Sequence, residues 1–389
     1  MTPVHPIIIS YYSPMLYFPP PSQVTPTPSS ESPQVLQYFV LRRNTFLKMG
    51  QTLSEPVTAK ESNSVQNSMF KVGSSCMQGW RVTMEDSHTH ILSLPDDQTA
   101  AFFGVYDGHG GPKVAQHAGN HLHKFIVQRQ EYQEGDAVGA IKQGFLEFDH
   151  SMLKDEHMRD ELAGTTAVTV LIKDNKVYCG NVGDSRAVAC AGGQTLPLST
   201  DHKPNNPEEA TRIERAGGWV EYNRVNGNLA LSRALGDFVF KRNTTMKPEE
   251  QMVIALPDVE YRDISDDWEF ILLACDGIWD VVTNEEAVEF VRRRLSINME
   301  PETICEELMT NCLAPDCQMG GLGCDNMTVI LACFLHGKSY VDLCQKIAAS
   351  YSPPLNPSLP VNGNVDEDNE GDEDEDNDEN EADDNTIFS

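Results

Sequence analysis

Four acidic segments of this 389-residue chain each lie at the end of an apolar run or just beyond it. Their carboxylates belong to Glu85 and Asp86, to Asp107, to Asp276 and to Asp325. Short apolar runs of this kind are typical of strands that are buried on both faces. Packing of such strands would bring the four segments to one shared edge. Any single acid is equally compatible with an ordinary turn, but four of them in Gly-rich turns favour a common site.

These carboxylates predict a site for a hard metal ion. Mg²⁺ and Mn²⁺ prefer oxygen ligands in octahedral geometry, whereas zinc is usually held by His or Cys pairs. Cys312, Cys317 and Cys324 lie near one another in the sequence, but they lack the close CxxC spacing of structural zinc sites. We therefore expect the 10 cysteines to be free thiols in a reducing compartment.

Composition divides the chain into four parts. Residues 1–68 are rich in Pro, Ser and Thr and lack a core-forming period, so we expect them to be disordered. Residues 69–336 carry the apolar runs and form the predicted folded domain, and residues 337–351 predict one short helix. Residues 352–389 are a linker and an acidic tail, which repels itself and is expected to be disordered.

Local patterns predict both hairpins and helices. The β-branched runs on either side of Asp174 and Asn175 predict a hairpin. Apolar residues recur at three- and four-residue spacing after Pro112 and again after Asn284, which predicts two helices. A shorter helix is expected at residues 208–216. Mixed hairpins and helices indicate an α/β protein with antiparallel sheets.

The ordered motifs are Arg81-Val-Thr-Met-Glu85-Asp86, Asp107-Gly108-His109-Gly110-Gly111, Gly164-Thr165-Thr166-Ala167, Gly183-Asp184-Ser185-Arg186-Ala187, Asp276-Gly277-Ile278-Trp279-Asp280 and Asp325-Asn326-Met327-Thr328. Together they resemble the signature set of the metal-dependent protein serine/threonine phosphatases of type 2C. The resemblance extends over roughly residues 70 to 335. It implies an α+β fold in which a β-sandwich of two antiparallel sheets is flanked on both faces by α-helices.

The resemblance implies hydrolysis of phosphoserine and phosphothreonine on proteins by two Mg²⁺ or Mn²⁺ ions, with a metal-bridging water as nucleophile. A two-metal site suits this reaction because it supplies both charge neutralisation and a strong nucleophile. Asp184 and Asp280 resemble positions that hold a weaker third ion. For the two main ions, the resemblance implies that Asp107 bridges both, that the Gly108 carbonyl binds one, and that Asp276 and Asp325 bind the other. Glu85 would act through a water molecule, and Asp86 would lie in the same shell.

Arg81 and His109 complete the expected site. Arg81 presents a planar donor fork that matches phosphate, and it lies four residues before Glu85. The pKa of an imidazole allows His109 to protonate the departing serine or threonine oxygen. Residues 201–234 resemble the family's flap segment beside the active site.

Two other functions remain alternatives. A calcineurin-like metallophosphoesterase would also begin with Asp107-Gly108-His109 and would use His109 as a ligand, although its later motifs do not follow in the sequence. A catalytically dead scaffold that binds phosphoproteins would be marked by a lost metal carboxylate, and none is lost. Cysteine chemistry is disfavoured because the interval from Cys76 to Arg81 is one residue shorter than a Cys-x₅-Arg loop.

Charge and a short N-terminal motif bear on partners. A net charge of -30 and a pI near 4.6 disfavour nucleic acid as a partner. The resemblance implies phosphoprotein substrates. The acidic tail recruits basic proteins, competes with acidic substrates at the site, or only adds solubility. Residues 49–54 match an N-myristoylation motif, which would acylate Gly50 only from an alternative start at Met49. We expect a cytoplasmic or nuclear monomer that reaches membranes only in a lipidated form.

Overall fold

The computed structural model describes residues 52–317 and 321–352. Its strands are β1 (Thr52–Gln66), β2 (Phe70–Arg81), β3 (Ser87–Ile91), β4 (Ala101–Tyr106), β5 (Gly108–His109), β6 (Gly164–Thr165), β7 (Ala167–Lys173), β8 (Lys176–Val182), β9 (Arg186–Ala191), β10 (Gln194–Pro197), β11 (Val220–Glu221), β12 (Arg224–Val225), β13 (Leu235–Gly236), β14 (Asp258–Asp263), β15 (Trp268–Ala274) and β16 (Met327–Phe334). Its α-helices are α1 (Lys113–Val127), α2 (Gln130–Gln133), α3 (Ala137–Met152), α4 (Pro207–Arg215), α5 (Asp276–Trp279), α6 (Asn284–Leu295), α7 (Pro301–Cys312) and α8 (Tyr340–Ser350). Short 3₁₀ turns lie at Phe238–Phe240 and Pro248–Glu250.

Two antiparallel sheets form the centre of the fold. The first has six strands in the order β1-β2-β16-β15-β9-β10, and the second has five in the order β14-β8-β7-β4-β3. Neighbouring strands in both sheets are antiparallel throughout. Two small sheets, β13-β6-β5 and β11-β12, lie outside this pair.

The continuous apolar runs form strands whose two faces pack into different hydrophobic cores. In β4 all six residues are buried. Phe103 and Val105 pack between the two sheets, whereas Phe102 and Tyr106 pack beneath α1 and α3. The outer face of the six-stranded sheet is covered by α6, α7 and α8. The predicted sandwich with helices on both outer faces is therefore confirmed.

Most of the local predictions agree with the structure. Asp174 and Asn175 form the turn between β7 and β8 and have φ angles of 49° and 59°, the left-handed pair that a tight hairpin requires. α1 begins directly after Pro112. α6 begins at Asn284, and the Thr283 hydroxyl caps it by accepting a hydrogen bond from the Glu286 amide.

The expectation that residues 1–68 are unstructured is wrong for Thr52–Gln66. This segment is β1, and it pairs with β2 along the edge of the six-stranded sheet. Most of its side chains are exposed, and its apolar residues Leu53, Pro56 and Val65 are only partly buried. Its stability comes from backbone pairing and not from an apolar face, so the strand lacks the alternating pattern on which a sequence prediction depends.

The expectation of ten free thiols is also corrected. Cys317 and Cys324 form a disulfide, and their Cα atoms are 6.0 Å apart, within the normal reach of such a bond. The other eight cysteines are free thiols. The disulfide packs against Trp80, so it lies beside the end of β2.

Some sequence predictions fall outside the part of the chain that the structure describes. These are the segment before residue 52, including Gly50, and the acidic tail after residue 352. Among the described residues, no helix is both long enough and apolar enough to cross a membrane. The short helix expected at 337–351 is α8.

Candidate metal centre

Strand pairing brings two of the predicted ligands to one end of the five-stranded sheet. β3 and β4 are antiparallel, and Ser87 at the start of β3 pairs with Tyr106 at the end of β4. Asp86 immediately precedes β3, and Asp107 immediately follows β4. The two carboxylates therefore lie at the same edge although Asp86 and Asp107 are 21 positions apart in the sequence.

The six-stranded sheet brings the other two acids to the same place. The end of β15 pairs with the start of β16, so Asp276, after β15, and Asp325, before β16, share one edge. Across the sandwich, the Thr328 hydroxyl donates a hydrogen bond of 2.7 Å to Asp86 Oδ2. This bond joins the two sheets at the site, and all four acidic segments converge as the sequence predicts.

The converging carboxylates strongly perturb one another. Burial raises the pKa of Asp107 well above its usual value, and the charges of Asp276, Asp86 and Asp325 raise it further. Burial likewise raises the pKa of Asp276, followed by the charges of Asp184 and Asp325. Each of these acids is more easily ionised when a cation is nearby, so the cluster favours cation binding.

Asp86 has an oxygen without a partner. Its side chain is 8% exposed, and Oδ1 has no hydrogen-bond partner within the described structure. Burial is the main reason that its pKa rises to about 7. Among residues 52–317 and 321–352, however, no group of three Asp, Glu, His or Cys side chains has the geometry of a metal-binding site. The acids are close enough to repel one another, but their carboxylates do not surround a single point.

Glu85 connects the first acidic motif to the glycine-rich loop after β4. Its Oε1 accepts a hydrogen bond from the Thr83 hydroxyl at 2.9 Å, and its Oε2 accepts one from the Gly111 amide at 3.1 Å. A Cβ atom on Gly108 would lie 2.2 Å from the Glu85 carbonyl oxygen. Only glycine fits this contact, which keeps the backbone of both motifs in place.

Asn326 braces the same region, and the sequence analysis assigned it no role. Its side-chain amide donates to the carbonyl oxygens of Gln78 at 2.8 Å and Thr83 at 3.0 Å. Its Oδ1 accepts from the Glu85 amide at 3.0 Å. One buried side chain therefore fixes the segment that carries Asp325 against the segment that carries Glu85.

Arg81 reaches the acidic edge, as predicted, and forms an ion pair with Asp325. The Arg81 side chain is 43% exposed, so its guanidinium faces the opening of the site. A cation bound by Asp325 would compete with this pair. The structure thus places Arg81 beside a predicted metal ligand, and its phosphate-binding role stays a prediction.

His109 has a partner that the sequence analysis missed. Its Nε2 lies 2.6 Å from Asp237 Oδ2, and Asp237 is 3% exposed. Burial opposes a charge on His109, but the Asp237 carboxylate outweighs it and raises the pKa of the imidazole. A Cβ on Gly164 would lie 2.2 Å from Asp237 Oδ2, so this glycine leaves room for the pair. Asp237 follows the flap in the sequence, and no neighbouring residue marks it as part of the site. Only its pairing with His109, which is distant in the sequence, does so.

Asp184 and Asp280 lie beside the main cluster. Asp184 is 4% exposed and forms an ion pair with Lys203, another residue without an assigned role in the sequence analysis. Asp280 follows the last residue of α5 and is exposed. Although the residue as a whole is exposed, loss of water around its carboxylate is the first cause of its raised pKa, and the Lys203 ammonium acts in the opposite direction.

An ionic network that is buried except at Asp258 holds the flap segment. Arg233 donates to Glu209 Oε1 through Nε and Nη2, at 3.1 and 2.8 Å, and to Asp258 Oδ1 at 2.7 Å. His202 Nε2 lies 3.1 Å from Asp258 Oδ2. The network joins α4 to β14. Lys203, near the start of the segment, pairs with Asp184, and Asp237, just after its end, pairs with His109.

The helix-flanked β-sandwich brings carboxylates, an arginine and a histidine together at one edge, a set of groups suited to metal-assisted hydrolysis of phosphate esters. The sequence profile described as Protein phosphatase 2C matches residues 70–319, and the chain belongs to this family. The protein is accordingly a protein serine/threonine phosphatase, which confirms the class indicated by the motifs.

Individual relatives and structures agree. A probable protein phosphatase 2C of Caenorhabditis elegans is 63% identical over 300 residues, which cover 77% of this chain and 84% of the relative. Protein phosphatase 2C homolog 3 of Schizosaccharomyces pombe is 48% identical over 321 residues, covering 81% and 77%. The crystal structure of a phosphatase from a pathogenic strain of Toxoplasma gondii matches with a TM-score of 0.61 and 27% identity, covering 71% of this chain and 95% of that one.

Proposed function

We propose that this phosphatase hydrolyses phosphoserine and phosphothreonine monoesters with two Mg²⁺ or Mn²⁺ ions held at the acidic edge. The observation that carries the proposal is the convergence of buried carboxylates from both sheets, which raise one another's pKa. Such a cluster is unfavourable without a cation. The residues that would hold the ions are Asp107, the Gly108 carbonyl, Asp276 and Asp325, with Glu85 and Asp86 around them.

The donor set fits these ions. The groups at the edge are carboxylate and carbonyl oxygens, which Mg²⁺ and Mn²⁺ prefer. The nearby Cys275 thiol is buried, and burial raises its pKa well above the usual value, so it supplies no soft thiolate ligand. The unpaired Asp86 Oδ1 is free to accept from a water that an ion holds. When bound, the ions would neutralise phosphoryl charge and make water more acidic.

Arg81 binds the phosphoryl group in this proposal. Its guanidinium is paired with Asp325 and partly exposed. A planar fork can donate to two phosphate oxygens at once, which both orients the ester and excludes competing poses. Once a cation satisfies Asp325, the same fork is available to substrate.

His109 supplies the proton to the leaving oxygen. Because its Nε2 pairs with Asp237 Oδ2, the ring is held in one orientation and its charged form is favoured. The proton then leaves from Nδ1, the other ring nitrogen, to the departing serine or threonine oxygen. Asp237 acts as a positioning residue.

The calcineurin-like alternative is not retained, because the family match covers residues 70–319. The dead-scaffold alternative would be marked by a lost metal carboxylate, and the sequence retains all of the implied acids.

The proposal is tested by removing and restoring metal. Dialysis against chelator should abolish phosphopeptide hydrolysis, and adding Mn²⁺ or Mg²⁺ should restore it, since the ions would supply the acidified water as well as charge neutralisation. Thiol alkylation should leave the restored activity unchanged, because Cys275 beside the site is buried and burial raises its pKa well above the usual value. Full activity after exhaustive chelation would contradict the metal-dependent mechanism.

We also propose that the acidic tail attracts basic protein substrates. The tail carries much of the net charge of -30. Deleting residues 366–389 should raise KM for a lysine-rich phosphoprotein at low salt, with little change for a small aryl phosphate, because screening weakens long-range attraction. Equal KM values with and without the tail at low and high salt would leave only a solubilising role.

A lipidated form is proposed for protein that starts at Met49. Acylation of Gly50 would give a cytoplasmic or nuclear enzyme a reversible membrane pool, since one myristoyl chain binds membranes only marginally. Mass spectrometry of the endogenous N-terminus decides between the forms. Finding only peptides that extend upstream of Gly50 would rule out the lipidated form.

A further inference from the structure

Lys203 places an ammonium group inside the acidic cluster. Its Nζ donates a hydrogen bond to Asp184 Oδ2, and the side chains are 31% and 5% exposed, respectively. The carboxylates of Asp276 and Asp280 are also within electrostatic range of this ammonium. Lys203 thus supplies a positive charge on the side of the cluster where Asp184 and Asp280 lie.

The backbone that carries Lys203 is fixed by its neighbours. Asp201, two residues before Lys203, accepts two hydrogen bonds from Arg186, at 2.9 and 2.8 Å. The His202 amide donates to the Gly183 carbonyl at 2.9 Å. Because these contacts hold the residues just before it, Lys203 starts from a defined position directly beside Asp184.

The Lys203 side chain itself can still move. Its four-carbon stem is flexible, and almost a third of the side chain faces solvent. Asp184 cannot follow, since it is buried in the turn between β8 and β9. A stronger cation at Asp184 could therefore turn the ammonium out to solvent without unfolding the turn.

We propose that Lys203 is a built-in counter-ion of Asp184, which a third divalent ion must displace in order to bind beside Asp184 and Asp280. The inference rests on the proposed function, because it takes the two main ions as given. Without Lys203, Asp184 would be a buried carboxylate surrounded by other acids, which is unfavourable unless a cation is present. The lysine stabilises the enzyme without the third ion and, by the same contact, weakens that ion's binding.

Mn²⁺ binding to the metal-stripped full chain tests this competition. Bound Mn²⁺ is counted from the loss of the EPR signal of free Mn²⁺ during a titration. Lys203→Met should tighten the weakest site by about tenfold, a change typical of altered metal-site neighbours, while the two tighter sites stay nearly unchanged. Lys203→Arg, which keeps the charge, should behave much more like the wild type.

Lys173→Met is the matched control. Lys173 also forms an ion pair with a largely buried carboxylate, Asp97, and the two side chains are 18% and 14% exposed. The variant therefore makes the same change in net charge away from the acidic edge. Its Mn²⁺ titration should overlay that of the wild type.

A second measurement is the melting temperature in chelator. Lys203→Met should melt lower than the wild type, and saturating Mn²⁺ should raise its melting temperature by more. If the methionine variant does not fold, Lys203→Gln provides the same removal of charge with a hydrogen-bonding side chain. A weakest site that is unchanged or weaker in a folded, uncharged variant overturns the inference.

A failure of the inference can be separated from a failure of the proposed function. Asp107→Asn should remove the tight Mn²⁺ sites. If those sites respond to Asp107→Asn but the weakest site ignores Lys203→Met, only the counter-ion role is wrong. If the wild type has no tight sites that depend on Asp107, both proposals are wrong.

Discussion

Asp107→Asn is expected to lower kcat/KM for a phosphopeptide by on the order of 10²- to 10³-fold, the loss typical when one preorganised electrostatic group leaves an active site. Asp107 sits at the centre of the cluster, where the charges of Asp276, Asp86 and Asp325 all act on it. An amide keeps the shape of the side chain but not its charge, so the ions would bind more weakly. Steady-state kinetics at saturating Mn²⁺ measure the effect, and near-normal turnover would contradict the bridging role.

The same substitution should stabilise the metal-free protein. An Asn at this position removes a buried charge from among like charges, so we expect the free energy of unfolding to rise by about 1–2 kcal/mol and Tm by several degrees. The pKa of Asp107 is raised in the folded state, so the folded protein binds a proton more readily than the unfolded chain. Stability of the metal-free wild type therefore falls as pH rises, and the gain from Asp107→Asn should shrink as pH is lowered.

Asp149→Asn is the control for the sign of this effect. Asp149 is also buried, but both of its carboxylate oxygens accept hydrogen bonds of 2.9 Å from Lys241. An amide there would leave the Lys241 ammonium without its charge partner, so Tm in chelator should fall. A fall in both variants would show that repulsion among the acids is not what Asp107→Asn relieves.

His109→Ala is expected to slow hydrolysis of alkyl phosphate esters by about 10²- to 10⁴-fold, the usual contribution of general acid catalysis. Activated aryl esters should be affected far less, because their leaving groups depart without a proton. The comparison is made with phosphoserine peptide and a nitrophenyl ester on the same preparation. An equal loss on both substrates would remove the general-acid role.

Asp237→Asn tests whether the partner of His109 matters. Asp237 has a φ of 53°, a conformation that asparagine tolerates, so the substitution should preserve the turn. Loss of the carboxylate should lower the pKa of His109 and move the alkaline limb of the rate profile for alkyl esters to lower pH. The control is His121→Ala, which removes a histidine on α1 and should leave that profile unchanged. An unmoved profile in Asp237→Asn would contradict the positioning role.

The sequence predicts the acidic edge because its physical basis is local. Asp107, Asp276 and Asp325 adjoin the fully buried strands β4, β15 and β16, and antiparallel pairing then decides which strand ends meet. The motifs for Asp107 and Asp276 therefore indicate both their strand and their position along it. The closeness of these acids follows from the packing of two buried sheets.

The residues that were missed act through distant partners. Lys203 and Asp237 lie in an irregular segment, and nothing in their immediate sequence distinguishes them from surface charges. Their pairing with Asp184 and His109 depends on how residues 201–237 cross the edge of the sandwich. β1 was missed for a different reason, because a strand held by backbone pairing has no apolar alternation to detect.

The Asn326 brace also determines which changes in chain length the site can tolerate. Its three hydrogen bonds, to Gln78, Thr83 and Glu85, set the spacing between segments that are more than 200 positions apart. Loops elsewhere, such as the one between β9 and β10, can lengthen without altering that spacing. A single residue inserted between Asp325 and Asn326 would instead shift the Asp325 carboxylate relative to the Asn326 amide that anchors it. One extra residue at this position would therefore disrupt the site more than a much longer insertion in the loop between β9 and β10.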